Sequence, residues 1–233
     1  MEIRVIASGS SGNAYGVSDG VSSLLLDAGV PMSRLRPALD FRVSALDGCL
    51  VTHSHGDHSR AVGELLRAGV SVYASRGTID ALGQSSHRLR PVRAGEQVEI
   101  GSFTVLPFDV QHDAPEPLGF LVSSRATKEK LLYLTDSYYT KYTFSGLTHI
   151  MCECNYSEEV LRERIEAGAI PTALAKRLRT SHMSLDHFLD LLRANDLSRV
   201  RQIYLLHLSS NNSEAERFRE ATERLVGCEV YVC

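Results

Sequence analysis

Apolar residues along this chain come in short blocks broken by Ser, Gly, Asp and Pro. Ile3–Ala7, Val21–Leu26, Leu46–Thr52 and Val70–Ala74 have the length and β-branched content of strands. Between them Pro31–Leu39 predicts a short helix. Ser59–Ala68 predicts another, with Ala61, Val62, Leu65 and Leu66 on one face, and Thr78–Leu82 a third. Gln97–Ile100 and Phe103–Phe108 predict a hairpin turning at Gly101. Leu118–Val122 and Leu131–Leu134 are strands on either side of a charged turn, and His149–Cys154 is a further apolar strand. Ser157–Ala167 is a helix of mixed charge. Ser184 is an N-cap for a helix over Leu185–Ala194, whose apolar face is Leu185, Phe188, Leu189 and Leu192. Val200–Leu206 is a strand, Ser213 and Glu216 form a capping box for the last helix, and Glu229–Val232 is a terminal strand. Two strand-rich halves carrying helices predict one two-sheet α+β domain over residues 1–233, with the helices outside.

Polar residues concentrate where strands end. Thr52-His53-Ser54-His55-Gly56-Asp57-His58 joins a strand to a helix. His53 and His55, two apart in extended backbone, point the same way, and Asp57 and His58 project together from the helix start. One loop thereby offers two sets of ligands, which suits two neighbouring divalent ions. Imidazole and carboxylate favour zinc or manganese, with iron also accepted. His112 follows a strand, Asp136 ends another, and His207 a third. Asp27, also at a strand end, is of the right type to orient the metal loop by accepting hydrogen bonds. The loop Ser8–Asn13 reads as a turn, and alternatively as a nest whose N–H groups, with Ser10 and Asn13, receive an anion. Lys176, Arg177 and Arg179 form a basic segment just before His182, either a substrate-backbone contact or a solvated face.

Composition narrows the class. Apolar residues make up 43% of the 233 and charged residues 23%, the balance of a soluble globular protein. No apolar run approaches the ~18 residues of a membrane span, and no leader pattern precedes the first strand, so a cytoplasmic location is expected. The five Cys have no framework spacing, and Cys152 and Cys154 read as small core residues. A net charge of −3 excludes a global basic field, so any nucleic-acid binding relies on a local patch.

The His-x-His-x-Asp-His motif after a strand resembles the signature of the metallo-β-lactamase superfamily, whose fold is a four-layer αββα sandwich with a one- or two-metal site. Carried over by position, the resemblance implies that His53, His55 and His112 hold one ion. Asp57, His58 and His207 then hold a second, and Asp136 bridges. The β-lactamases proper usually have Cys where Asp136 stands. Ser-Gly-Ser-Ser-Gly-Asn at the start, Glu153-Cys154-Asn155, Ser-His-Met-Ser and His-Leu-Ser-Ser-Asn-Asn further resemble the YycJ/WalJ group, linked to DNA exonuclease activity. That resemblance implies phosphodiester hydrolysis of DNA by a metal-bound hydroxide. Asp57 and His182 are then the catalytic groups, His182 serving as acid to the leaving alkoxide. Leu185 departs from the Asn expected there. The alternatives are a small-molecule hydrolase, acting on cyclic phosphodiesters or thioesters, and a non-catalytic metal-binding module, against which the full ligand set argues.

Overall fold

The computed structural model describes residues 1–209 and 213–233. Contacts divide the chain into two compact units, Met1–Asp109 with Ala114–Glu129, and Val110–Asp113 with Lys130–Cys233.

The first unit begins with a sheet in the spatial order β1 (Glu2–Ala7), β2 (Ala14–Ser18), β3 (Ser23–Leu26), β4 (Gly48–Leu50), β5 (Val72–Ala74) and β6 (Leu89–Pro91). The first three strands are antiparallel, and β3 to β6 run parallel, which requires crossovers. The crossovers carry α1 (Met32–Ala38), α2 (Gly56–Ser59), α3 (Val62–Arg67) and α4 (Arg76–Leu82). Leu25, Cys49, Val51 and Val72 pack with Leu35, Leu65 and Ile79 in one apolar core. Each Leu or Ile buried there contributes about 1.5–3 kcal/mol. The same unit holds the antiparallel strands β7 (Val98–Ile100), β8 (Phe103–Asp109) and β9 (Leu118–Ser124). The buried Asp19 ties them to the first sheet, accepting from Ser102 Oγ and Ser124 Oγ (both 2.6 Å) and from the backbone N–H of Ser22 and Val21. Burial opposes its charge, but these four donors outweigh it and hold the carboxyl at about 2.

The second unit has four parallel strands, β10 (Lys130–Leu134), β11 (His149–Glu153), β12 (Gln202–Leu206) and β13 (Glu229–Val232). Every residue of β11 is buried, the unbroken run typical of a parallel sheet covered on both faces. Helices α5 (Glu158–Glu166), α6 (Thr172–Ser181), α7 (Leu185–Arg193) and α8 (Ala215–Glu223) fill the connections. Among the described residues, no helix is long and apolar enough to cross a membrane.

Several elements differ from their sequence-based bounds. The expected helix Ser59–Ala68 is two short helices that part at Arg60–Ala61, because Ala61 N–H turns to the carbonyl of Ala28 (2.8 Å). Strands β2 and β6 carry no clear alternation; pairing with their neighbours makes them strands. Ser184 caps α7 as expected, accepting from His187 N–H at 3.2 Å. The buried fourth residue of that helix is Leu191, three after Phe188, and Leu189 is only half-buried. The capping box fails: Ser213 Oγ donates to the Ser209 carbonyl (2.7 Å), and the last helix starts at Ala215 with Glu214 as its N-cap. Ser210, Asn211 and Asn212, part of the stretch that resembles the YycJ/WalJ group, lie outside the described residues.

Candidate metal centre

In the first unit, β4 delivers the motif loop and α2 takes it away, with His55 as the N-cap. Two neighbouring segments fix its path. Asp57 carbonyl accepts from Asn13 N–H (2.7 Å), His58 carbonyl accepts from Ala28 N–H (2.8 Å), and Asn13 carbonyl accepts from Gly29 N–H (2.8 Å). Gly29 is required by space, since a Cβ there would stand 1.6 Å from the Asp57 carbonyl oxygen. Asn13 is wholly buried. Its Oδ1 accepts from Gly9 N–H and Tyr15 Oη–H, and its Nδ2 lies 3.0 Å from His58 Nε2. The Ser8–Asn13 loop is therefore a clamp on the motif, with Asn13 turned inward and Ser10 exposed.

Asp27 orients the histidines, as its strand-end position suggests. Fully buried, and with φ of 54°, it accepts from Thr52 N–H (2.8 Å), Thr52 Oγ1 (3.0 Å) and His58 Nδ1 (2.8 Å). His58 thus carries its proton on Nδ1, and its Nε2 lone pair accepts from Asn13 Nδ2 (3.0 Å), with Asp57 Oδ2 3.5 Å away. Because Thr52 Oγ1 donates to Asp27, it accepts from His53 Nδ1 (3.1 Å), which leaves His53 Nε2 as acceptor, 3.1 Å from His55 Nδ1. A carboxylate or hydroxyl behind each imidazole is the arrangement that fixes tautomers for metal ligation.

The second unit repeats the arrangement at the ends of β10, β11 and β12. His112 Nδ1 donates to the Ser181 carbonyl (3.0 Å), so Nε2 faces Asp136 Oδ2 at 3.5 Å. Burial lowers the His112 pKa despite the Asp136 charge, which favours the neutral ring that metal ligation needs. Asp136 and His207, both non-glycine residues, adopt φ of 46° and 54°. With Asp27 these are uncommon left-handed conformations at strand ends, each costing of order 1 kcal/mol or more, and such strain clusters at functional sites.

Glu153 was given no role from sequence. It is fully buried, accepts from Ser137 N–H (3.0 Å) and Met183 N–H (3.2 Å), and meets His182 Nδ1 at 2.5 Å and His207 Nδ1 at 3.2 Å. Burial disfavours its charge, but the His182 charge and these hydrogen bonds win and lower its pKa. Burial likewise disfavours charge on His182, yet the Glu153 carboxylate and its hydrogen bond raise the His182 pKa above the usual imidazole value. The clue in the sequence was a carboxylate inside the apolar strand Ile150-Met151-Cys152-Glu153-Cys154, since a buried charge demands partners.

The donor chemistry fits divalent cations. In the first unit imidazole and carboxylate atoms converge at 3.1 and 3.5 Å, and in the second, donor atoms of Asp136, Glu153, His182 and His207 lie within 4.8 Å of one another. Cys152 and Cys154 are buried core thiols, Cys152 packing on Met183.

The basic segment forms α6 and divides. Lys176 and Arg177 line a cleft of about 450 Å³ with Gln111, His112, Asp113 and Tyr138. Arg179 instead forks onto Glu158, Nε and Nη2 both donating at 2.8 Å, and that pairing lowers the Glu158 pKa.

The profile of the family described as the β-lactamase superfamily domain matches residues 23–208. The exodeoxyribonuclease WalJ of Streptococcus pneumoniae serotype 2 is 28% identical over 229 residues, covering 91% of this chain and 83% of the relative. The exodeoxyribonuclease YycJ of Bacillus anthracis is 27% identical over 244 residues, covering 97% and 89%. Among solved structures, the metallo-β-lactamase fold protein YhfI from Bacillus subtilis matches with a TM-score of 0.75 at 17% identity, covering 99% of this chain and 95% of that one. The α+β fold expected from the sequence is therefore the metallo-β-lactamase fold. The chain belongs to the β-lactamase superfamily, as a YycJ/WalJ-like member and a metal-dependent hydrolase.

Proposed function

We propose that this chain is an exodeoxyribonuclease that hydrolyses phosphodiester bonds with two divalent metal ions, zinc or manganese. His53, His55 and His112 would hold one ion and Asp57, His58 and His207 the other, with Asp136 shared. The observation that carries the phosphodiester reading is His182, whose Nδ1 meets the buried Glu153 carboxylate at 2.5 Å, a contact that favours the protonated ring. A leaving alkoxide needs a proton, and an imidazolium near neutral pH is suited to give it. The exonuclease names of relatives that cover most of the chain support the choice of polymer.

When bound, the cations polarise the phosphate and lower the pKa of water. The chain's own groups supply the rest. Asp57, with a quarter of its side chain exposed, takes a proton from the attacking water, and His182 protonates the leaving oxygen from Nε2 while Nδ1 stays on Glu153. Lys176 and Arg177 hold a neighbouring phosphate in their cleft. Asn13 positions the motif loop, and Arg179 shapes α6 through Glu158. A cytoplasmic location is part of this reading. A small phosphodiester is the second reading, favoured by the net charge of −3.

The test incubates metal-loaded protein in parallel with end-labelled duplex DNA, single-stranded DNA, RNA and bis-p-nitrophenyl phosphate. Loss of label from a DNA end supports the exonuclease. Turnover of the small ester alone supports the second reading, and turnover of none removes both.

A further inference from the structure

Residues 137–142 follow Asp136 and contribute to two hollows within the second unit. On one side lies the cleft with Lys176 and Arg177, to which Tyr138 contributes. On the other, a hollow of about 260 Å³ is lined by Tyr139, Tyr142, Met183, His187 and Leu191. Adjacent residues of one segment thus face a cationic surface and an aromatic one. The segment is pinned at several points. Ser137 N–H donates to Glu153, Ser137 Oγ donates to the Tyr139 carbonyl (2.8 Å), and His187 Nδ1 donates to the Tyr138 carbonyl (2.9 Å).

Tyr139 is 52% exposed, among the few large apolar side chains left open to water. Its ring stands edge-on to His187, with centroids 6.3 Å apart at 73°, and both rings line the hollow. Met183, the residue after His182, is buried against the same hollow, which connects it covalently to the proposed acid. The volume falls below the ~300–1,000 Å³ of pockets for drug-sized ligands and suits one ring system.

The geometry points to a nucleobase subsite: Tyr139, with His187 and Met183, stacks one unpaired base of the strand whose phosphate lies against Lys176 and Arg177. A nucleotide is the ligand that joins an anion to a flat π-face, and a pinned segment whose consecutive residues Tyr138 and Tyr139 line a cleft with Lys176 and Arg177 and a hollow with His187 and Met183 matches that pairing. Stacking tolerates every base, so the subsite selects single-stranded or frayed ends without selecting sequence. This inference rests on the phosphodiesterase reading above and adds to it the state of the substrate.

The test compares oligothymidylate with a strand of equal length whose sugars carry no bases, using metal-loaded protein. Alanine substitution of a stacking ring costs about 5- to 150-fold per base, and the wild type is expected to show a preference of that order in KM for the strand with bases. Tyr139→Ala should bring the preference close to one, and Tyr139→Phe should restore it. Equal KM for both strands in the wild type, or an intact preference in Tyr139→Ala, overturns the subsite while leaving the nuclease reading in place. Cleavage of neither strand nor of duplex DNA, alongside turnover of bis-p-nitrophenyl phosphate, overturns both.

Discussion

Replacing Gly29 with alanine tests how the motif loop is held. The φ of Gly29 lies outside the left-handed region, so an alanine there has no intrinsic backbone penalty. Space is the obstacle. The new Cβ would sit 1.6 Å from the Asp57 carbonyl oxygen, 2.2 Å from its carbon and 2.8 Å from Asn13 N, where ordinary contact begins at 3.4 Å. All three blocking atoms are backbone, so none can swing aside. Either the 27–29 turn or the 55–58 turn must shift by more than an ångström, breaking the Asn13 N–H to Asp57 bond of 2.7 Å. Overpacking of this kind costs about 1–3 kcal/mol, and backbone obstruction puts this case toward the upper end. For a chain of this size each kcal/mol lowers Tm by about 2–4 °C, so calorimetry of the metal-free protein should show a drop of about 2–12 °C. Asp57 and His58 move with the turn, and lost support behind metal ligands typically lowers affinity about 10–100-fold, measurable by zinc competition titration. A Gly29→Ala protein with Tm within about 1 °C of wild type and unchanged zinc affinity would refute the claim that this close approach sets the ligand geometry.

Other substitutions separate the roles. Asp136→Ala should lose at least one of two metal ions while staying folded; elemental analysis showing full occupancy removes Asp136 as the shared ligand. His182→Ala should keep its metal and lose about 10²–10⁴-fold in kcat on DNA, with a much smaller loss on a p-nitrophenolate ester, whose leaving group needs little protonation. An equal loss on both substrates would reassign His182 to phosphate binding. Glu153→Gln removes the charge that raises the His182 pKa and leaves the burial that lowers it. An acid must be protonated to act, so activity falls as pH rises through that pKa, and the falling limb of the pH–rate profile should move to lower pH in the variant. An unmoved limb would mean that another group titrates. Replacing Lys176 and Arg177 together should flatten the slope of log K against log salt by roughly 1.5, since each lost phosphate contact removes about 0.7–0.9; an unchanged slope would make them a solvated helix face.

Candidate ligands could be named from the sequence because metal chemistry restricts residue types. Histidine pairs at i, i+2 in extended chain and carboxylates after apolar strands admit few other uses, and Asp27 was readable as a hydrogen-bond acceptor behind the motif from its place at a strand end. The long apolar strands were legible from burial on both faces, as in β11. What stayed hidden depends on partners distant in sequence. β2 and β6 are short strands whose identity comes from their neighbours. Asn13 is an inward clamp only because Asp57 and His58, more than forty residues on, lie against it. Arg179 leaves the basic group because Glu158, on another helix, neutralises it. Glu153 looked like one more strand residue, and its partners emerge only when His182 and His207 converge on it. The failed capping box has a local cause, a Ser213 hydroxyl committed to the Ser209 carbonyl.

The central claim is hydrolysis of DNA through two bound divalent ions. Metal-stripped protein titrated with manganese or zinc, with loss of an end label from duplex DNA read at each point, tests it most directly. The account predicts no cleavage in the stripped protein and a rise that reaches its plateau at two equivalents per chain. Cleavage persisting without metal, or a plateau at one equivalent, would contradict it.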